Sequence, residues 1–235
     1  MSAVETADVV VIGSGPGGAI PAYRLAAAGA KVVILERGPW LETQEFTQSL
    51  RIDTYTRIID YITADGVSVV AGNCVGGSSV SYFAAALRAP TFVFDRRDSA
   101  GRRIWPKALS RDAVDPWYDL VEETLPIAQQ TWDDVPYPGG VWAAACHNAG
   151  HTCNPVPVAV DLNECTNCKS LLNGCRLGVK RSMLLTYLPA AVAHATEIRP
   201  LHEVQTISPP LTSGYRYAVE YTTVDAGDYR VPDGG

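Results

Sequence analysis

The 235-residue sequence has no long apolar run, no basic cluster, no charged leader and no internal repeat. A membrane-spanning helix needs roughly 18 consecutive apolar residues, and a clean stretch such as Val141–Cys146 is far shorter. A secretory signal needs a positively charged segment ahead of an apolar one, whereas Met1–Asp8 leads straight into the strand-like Val9–Ile12. The expectation is a cytoplasmic chain with no membrane span. Positive charge is also short: 19 Lys+Arg against 25 Asp+Glu leave a net −6. That balance argues against nucleic acid or an anionic membrane as the main partner. What remains is an ordinary globular mix, 47% hydrophobic and 19% charged. At this length one large α/β domain, or one and a half, buries a core without disulfides.

Val9–Ile12 is a β-branched apolar run ending at glycine, the pattern of a buried strand. A helical stretch from about Gly15 to Ala28 follows, closed by Gly29, and Lys31–Glu36 reads as a second buried strand. Strand, glycine turn, helix and strand make a βαβ unit with parallel, centrally buried strands. Residues 39–65 resist assignment. Val67–Ala71 reads as a strand feeding a glycine- and serine-rich loop, Gly72–Ser79. Further on, Asp115 suits an N-cap and Pro116 a first helical position, with Trp117, Leu120, Val121 and Leu125 on one face. Residues 139–178 show little periodicity. Ser182–Ala195 reads as a helix that Pro189 should kink or split. Glu197–Ile207 reads as a strand and Tyr215–Val231 as a loosely alternating hairpin.

The strongest chemical signal is Gly13-Ser14-Gly15-Pro16-Gly17-Gly18, which satisfies G-x-G-x-x-G. Gly13 permits the tight turn, Gly15 lets a pyrophosphate approach the backbone, and Gly18 lets the helix pack closely on the sheet. The helix N-terminus adds free N–H groups and partial positive charge. Glu36 ends the next strand, where a carboxylate accepts ribose hydroxyls and disfavours a 2′-phosphate. NAD and FAD both satisfy this loop. Pro21 removes a helical N–H about one turn in and has no functional account.

The second loop, Gly72-Asn73-Cys74-Val75-Gly76-Gly77-Ser78-Ser79, offers close backbone approach and several donors. Those features suit the middle of an extended cofactor better than a second phosphate. With both loops in view, the sequence resembles the glucose–methanol–choline (GMC) family of FAD-dependent oxidoreductases, in particular its cholesterol-oxidase-like branch. The matching stretches are VVVIGSGPGGAIPAYRLAAAGAKVVILERG, AGNCVGGSSVSYFAAALR, IWPKALSRDAVDPWYDLVEETL and GCRLGVKRSMLLTYLPAA through RPLHEV. The resemblance implies that Gly13, Ser14, Gly15, Pro16, Gly17 and Gly18 hold the pyrophosphate. It implies Glu36, with Arg37 beside it, for the adenosine end, and the backbone of Val204 for the adenine. Asn73, Gly76, Gly77 and Ser78 would lie along the ribityl–flavin region. Where the family continues its second loop with an aliphatic residue and asparagine, this chain has Ser81 and Tyr82; Tyr82 is expected to pack there.

Cys165, Cys168 and Cys175, with Cys146, Cys153, His147 and His151 upstream, leave three readings open: buried thiols, a metal or iron–sulfur site, or a disulfide. Relatives often carry a further cysteine where Leu171 stands, and no metal ligand is assigned. His194 and His202 read as packing histidines, and Asp95–Arg103 as a solvated loop.

The resemblance implies an α/β, Rossmann-like FAD-binding domain with part of a substrate-binding region inserted. The expected boundaries are 1–89 and 186–235 for the FAD-binding domain and 90–185 for the insertion. It further implies oxidation of an alcohol or sterol by hydride transfer to flavin N5. No residue of 1–235 corresponds to the family's C-terminal catalytic histidine and its partner, so no catalytic residue is assigned. The chain is therefore expected to be an incomplete, N-terminal half, binding flavin weakly or not at all unless a second chain completes the fold. The alternatives are an NAD-binding Rossmann dehydrogenase and a non-catalytic flavin- or metal-binding module. The identity of the alcohol and of the electron acceptor is left open.

Overall fold

The computed structural model describes residues 4–49, 51, 57–210, 213–225 and 227. Its strands are β1 (Val9–Ile12), β2 (Val32–Leu35), β3 (Ile59–Ala64), β4 (Val67–Gly72), β5 (Ala128–Gln129), β6 (Pro157–Val158), β7 (Glu197–Arg199), β8 (His202–Ser208) and β9 (Ala218–Thr223). The helices are α1 (Pro16–Ala27), α2 (Thr91–Phe94), α3 (Arg111–Thr124), α4 (Tyr137–Asn148) and α5 (Tyr187–Ala193). They fall into two compact units, Met1–Phe83 with Cys168–Gly235, and Ala84–Asn167.

The first unit is built on a parallel sheet of order β1-β2-β7. The expected βαβ unit is present, with Val9 opposite Val32 and Ile12 opposite Leu35. All four residues of β2 are buried, as an uninterrupted Val-Val-Ile-Leu run should be when it has a neighbour on each side. Central burial does not extend to β1, which pairs only with β2 among the described residues and leaves Val10 and Ile12 exposed. α1 covers the sheet through Gly18, Ala19, Ala22 and Ala26, whose small side chains let the helix axis come close. Its other side meets α5, where the Tyr23 ring lies 5.9 Å edge-on from Tyr187 and 5.8 Å from the His194 ring. His194 therefore packs as expected. So does His202, whose Nδ1 lies 2.7 Å from the Pro200 carbonyl and whose ring lies 5.0 Å from that of Tyr221.

β4 runs one residue beyond the predicted strand and pairs antiparallel with β3, which falls inside the unassigned 39–65. The strand expected over Glu197–Ile207 is two strands. Pro200 carries no N–H to continue a ladder, and Leu201 takes φ +60°. The chain thus leaves the parallel sheet after β7 and starts β8, which pairs antiparallel with β9 rather than leaving 215–231 to form its own hairpin. Residues 226 and 228–231 of that segment lie outside the described residues. The 182–195 helix is split as expected, but at Thr186 (φ −125°, ψ −86°), between a 3-10 turn over Met183–Leu185 and α5. Pro189 then falls in the first turn of α5, where its missing N–H costs no helical bond.

In the second unit, α3 begins at Arg111, five residues before the predicted first helical position, Pro116. Ser110 is the true N-cap, its Oγ accepting from the Ala113 N–H at 3.3 Å, and Pro116 lies inside the helix. Trp117 is exposed. α4 occupies part of the region read as unperiodic, because its Pro-Gly-Gly start and alanine run carry no alternation of polar and apolar faces. The loop Asp95–Arg103 is solvated but ordered by Asp98, which accepts from the Ala100 and Arg102 N–H groups at 2.9 Å each.

A Cβ on Gly18 would lie 2.0 Å from the Gly13 carbonyl oxygen, whereas one on Gly17 would meet nothing within 4 Å. Gly18→Ala is expected to destabilise by more than about 1 kcal/mol through backbone overlap. Gly17→Ala should be neutral, or stabilising by up to about 1 kcal/mol. Urea unfolding midpoints of the two variants check this contrast.

Candidate functional site

Parallel pairing of β1 and β2 brings Gly13 and Glu36 out at the same end of the sheet, and the Gly13 N–H donates to the Leu35 carbonyl at 2.8 Å. Glu36 is buried there and nevertheless finds three donors. Its Oε2 accepts from the Ser14 backbone N–H at 2.8 Å and from Ser14 Oγ at 2.6 Å. Its Oε1 accepts from the Gly38 N–H at 2.8 Å. The Ser14 hydroxyl, fully buried, gives its proton to Glu36 and accepts from the Gly76 N–H at 2.9 Å. One carboxylate at the end of β2 thus links the turn after β1, its own turn, and the glycine loop after β4.

That second loop closes on itself and on the first. Ser78 Oγ accepts from the Gly72 N–H at 2.8 Å, and Ser79 Oγ donates to the Gly76 carbonyl at 2.6 Å. Gly77 (φ +55°) lies against Gly15 so closely that a Cβ would sit 2.8 Å from the Gly15 Cα. The two loops therefore touch backbone to backbone. Above the first loop there is open space: ideal Cβ positions at Gly13 and Gly17 meet nothing within 4 Å, and that at Gly15 meets only Gly77 Cα, at 3.9 Å. At the start of α1, Pro16 has no N–H and the Gly18 and Ala19 N–H groups donate to the Gly15 carbonyl at 2.9 and 2.8 Å, which leaves the Gly17 N–H without an intrahelical acceptor. Asn73 is buried, its N–H donating to the Ile58 carbonyl at 2.7 Å, while its Oδ1 has no donor among the described residues. A buried acceptor without a donor, beside an open glycine cradle at a helix N-terminus, fits a ligand that carries hydroxyls and phosphates.

The remaining predicted residues lie in the same unit. Pro16 opens α1. The Arg37 guanidinium pairs with Asp60 and lies 3.5 Å from Glu203. Val204, opposite Tyr221 in β8, reaches this end of the sheet because the His202 N–H donates to the Glu36 carbonyl at 2.8 Å and the Leu201 N–H to that of Gly38 at 3.2 Å. Cys74, in the loop, is buried, and its thiol is pushed up to about 12, first by burial and then by the Glu36 charge, with Lys180 opposing.

Lys180 is the residue that sequence reasoning passed over. Only 1% exposed, it donates from Nζ to the carbonyls of Val80 at 2.7 Å, Tyr82 at 2.5 Å and Leu171 at 2.8 Å. Nζ also lies 4.6 Å from the centre of the Tyr82 ring. Tyr82 does pack, and it packs on this lysine. In Gly-Val-Lys-Arg-Ser-Met-Leu-Leu the lysine sits between Val179 and Arg181, a setting that does not mark it as buried. Burial lowers its ammonium from an ordinary 10.5 to about 7, against the opposing influence of Cys175 and Cys74. The cysteines are all free thiols, and among the described residues no three His, Cys, Asp or Glu side chains are placed to hold a metal ion. Among the described residues no helix is long and apolar enough to cross a membrane.

A family model described as GMC oxidoreductase matches residues 10–230. The chain is 30% identical over 208 residues to an uncharacterized GMC-type oxidoreductase of Mycobacterium tuberculosis, covering 83% of this chain and 31% of the relative. It is 29% identical over 204 residues to a long-chain-alcohol oxidase of Arabidopsis thaliana, covering 81% of this chain and 25% of that protein. A cholesterol oxidase of M. tuberculosis matches at 26% over 235 residues, covering 84% and 39%. Among solved structures, pyridoxine 4-oxidase from Mesorbium loti superposes with a TM-score of 0.62 at 15% identity, covering 93% of this chain and 46% of that one. The chain thus spans from a quarter to under half of the length of these proteins.

The buried lysine links stability to pH. Between about pH 7 and 10.5 the unfolded chain carries a proton on Lys180 that the folded chain has lost. Stability from this group therefore rises with pH across that window, by up to about 1.4 kcal/mol per pH unit. Urea midpoints at pH 7 and 9.5 should show the rise in the natural chain relative to Lys180→Met.

Proposed function

The chain belongs to the GMC oxidoreductase family, whose N-terminal domain is the FAD-binding one, and on that premise we propose that this unit binds FAD across its two glycine loops. Gly13, Ser14, Gly15, Pro16, Gly17 and Gly18 cradle the pyrophosphate at the start of α1. Glu36 accepts from the adenosine ribose with the lone pairs that Ser14 and Gly38 leave free, and Arg37 and Val204 border the adenine. Asn73, Gly76, Gly77 and Ser78 lie along the ribityl–flavin part. The observation that carries this reading is the continuous Glu36–Ser14–Gly76 hydrogen-bond path beside the unpartnered Asn73 Oδ1.

When bound, FAD supplies the hydride acceptor for oxidation of a CH–OH group. The chain's own residues bind it, keep the two loops in contact and exclude side chains from its path. An alcohol or sterol substrate is favoured by the long-chain-alcohol oxidase and cholesterol oxidase among the relatives. No residue of this chain is assigned to the alcohol proton.

Gly15→Ala separates binding from folding. Its Cβ makes only an ordinary contact with the protein, yet it enters the space assigned to the pyrophosphate. Fluorescence titration should give weak but saturable FAD binding by the natural chain, competed by ADP. In the variant, affinity should fall about tenfold or more with the urea midpoint unchanged. Saturable binding of NAD in place of FAD would count against the proposal.

A further inference from the structure

We propose that Lys180 is a positioning residue that holds the second glycine loop in the shape needed for cofactor binding, an inference that rests on the FAD reading above. The ammonium has three N–H bonds, and the three carbonyls within reach come from two segments far apart in sequence. Val80 and Tyr82 lie where the chain leaves the loop, and Leu171 lies in the 3-10 turn Leu171–Asn173. The Tyr82 ring caps the same nitrogen at 4.6 Å. Three residues further on, the Met183 N–H donates to Ser79 Oγ at 2.9 Å, and Ser79 Oγ donates to the Gly76 carbonyl. Lys180 and Met183 therefore grip residues 79–82 from one side while Ser14 holds Gly76 from the other.

Keeping an ammonium out of water is expensive, so a lysine is a poor choice for filling this space alone. What it uniquely offers is three donors radiating from one atom to backbone groups outside any sheet or long helix. It acts on the cofactor only through the loop. The ionisable groups bearing on it are Cys74, Cys175 and the phenol of Tyr82, of which Cys74 and Tyr82 are both pushed up by burial.

Hydrogen exchange on the full chain without FAD tests this directly, at a pH below 7 where Lys180 carries its three donors. In Lys180→Met, amides of 76–82 and 171–175 should exchange about tenfold faster or more, with residues 9–12 and 32–35 unchanged. Lys180→Arg, which keeps charge and donors, should recover most of the protection, and FAD affinity should follow the same order. Equal acceleration across both sheet strands and loop, no acceleration at 76–82, or identical behaviour of the two variants overturns the proposal. Should the methionine variant not fold, Lys180→Gln decides by the same readout: faster exchange at 76–82 and 171–175 with 9–12 unchanged supports the proposal, and no acceleration there overturns it. Failure of the natural chain to bind FAD would overturn the cofactor reading, and the exchange pattern alone would then decide on Lys180.

Discussion

A carboxylate buried at the end of a strand must find donors or lose its charge, and Glu36 finds them in the loops it organises. It takes both the backbone N–H and the hydroxyl of Ser14, and the N–H of Gly38. Because the Ser14 oxygen then has acceptor capacity to spare, the Gly76 N–H joins the same network. Three turns that are unrelated in sequence are held at one end of a parallel sheet by one side chain and its hydroxyl relay. Hydrogen bonds to a charged group are the stronger kind, and here they are also shielded from water. The glycines are the steric side of the same constraint, since loops drawn this close leave no room for a Cβ on Gly72 or Gly77.

Much of the first unit was legible because its signals are local. A β-branched run stopped by glycine gave β1, a run of four apolar residues gave β2, and the G-x-G-x-x-G spacing located the turn between them. The pairing of Ser14 with Gly76 was not legible, because 62 residues separate them and no periodicity reports a hydroxyl's choice of partner. Lys180 was hidden for a related reason. A lysine next to an arginine and a serine reads in sequence as one that reaches the surface, and only tertiary structure reveals the three carbonyls.

The misplaced boundaries share a cause. Pro116 and Pro189 mark, by local rule, where helices begin or break, and each tolerates another role. Pro116 lies inside a helix that Ser110 caps, and Pro189 lies in a first turn that Thr186 had already begun. Pro200 was the proline that did end an element, and the strand read across it came out as two.

Cys74 gains a meaning from its surroundings. A thiol inside a loop assigned to a redox cofactor is a hazard only if it ionises, since the thiolate is the reactive species. Its pKa is pushed up to about 12, first by burial, so the thiol form dominates at neutral pH. Burial, with the Glu36 charge that gathers the loops added to it, thus holds this sulfur in the thiol form that reacts poorly with peroxides and alkylating agents.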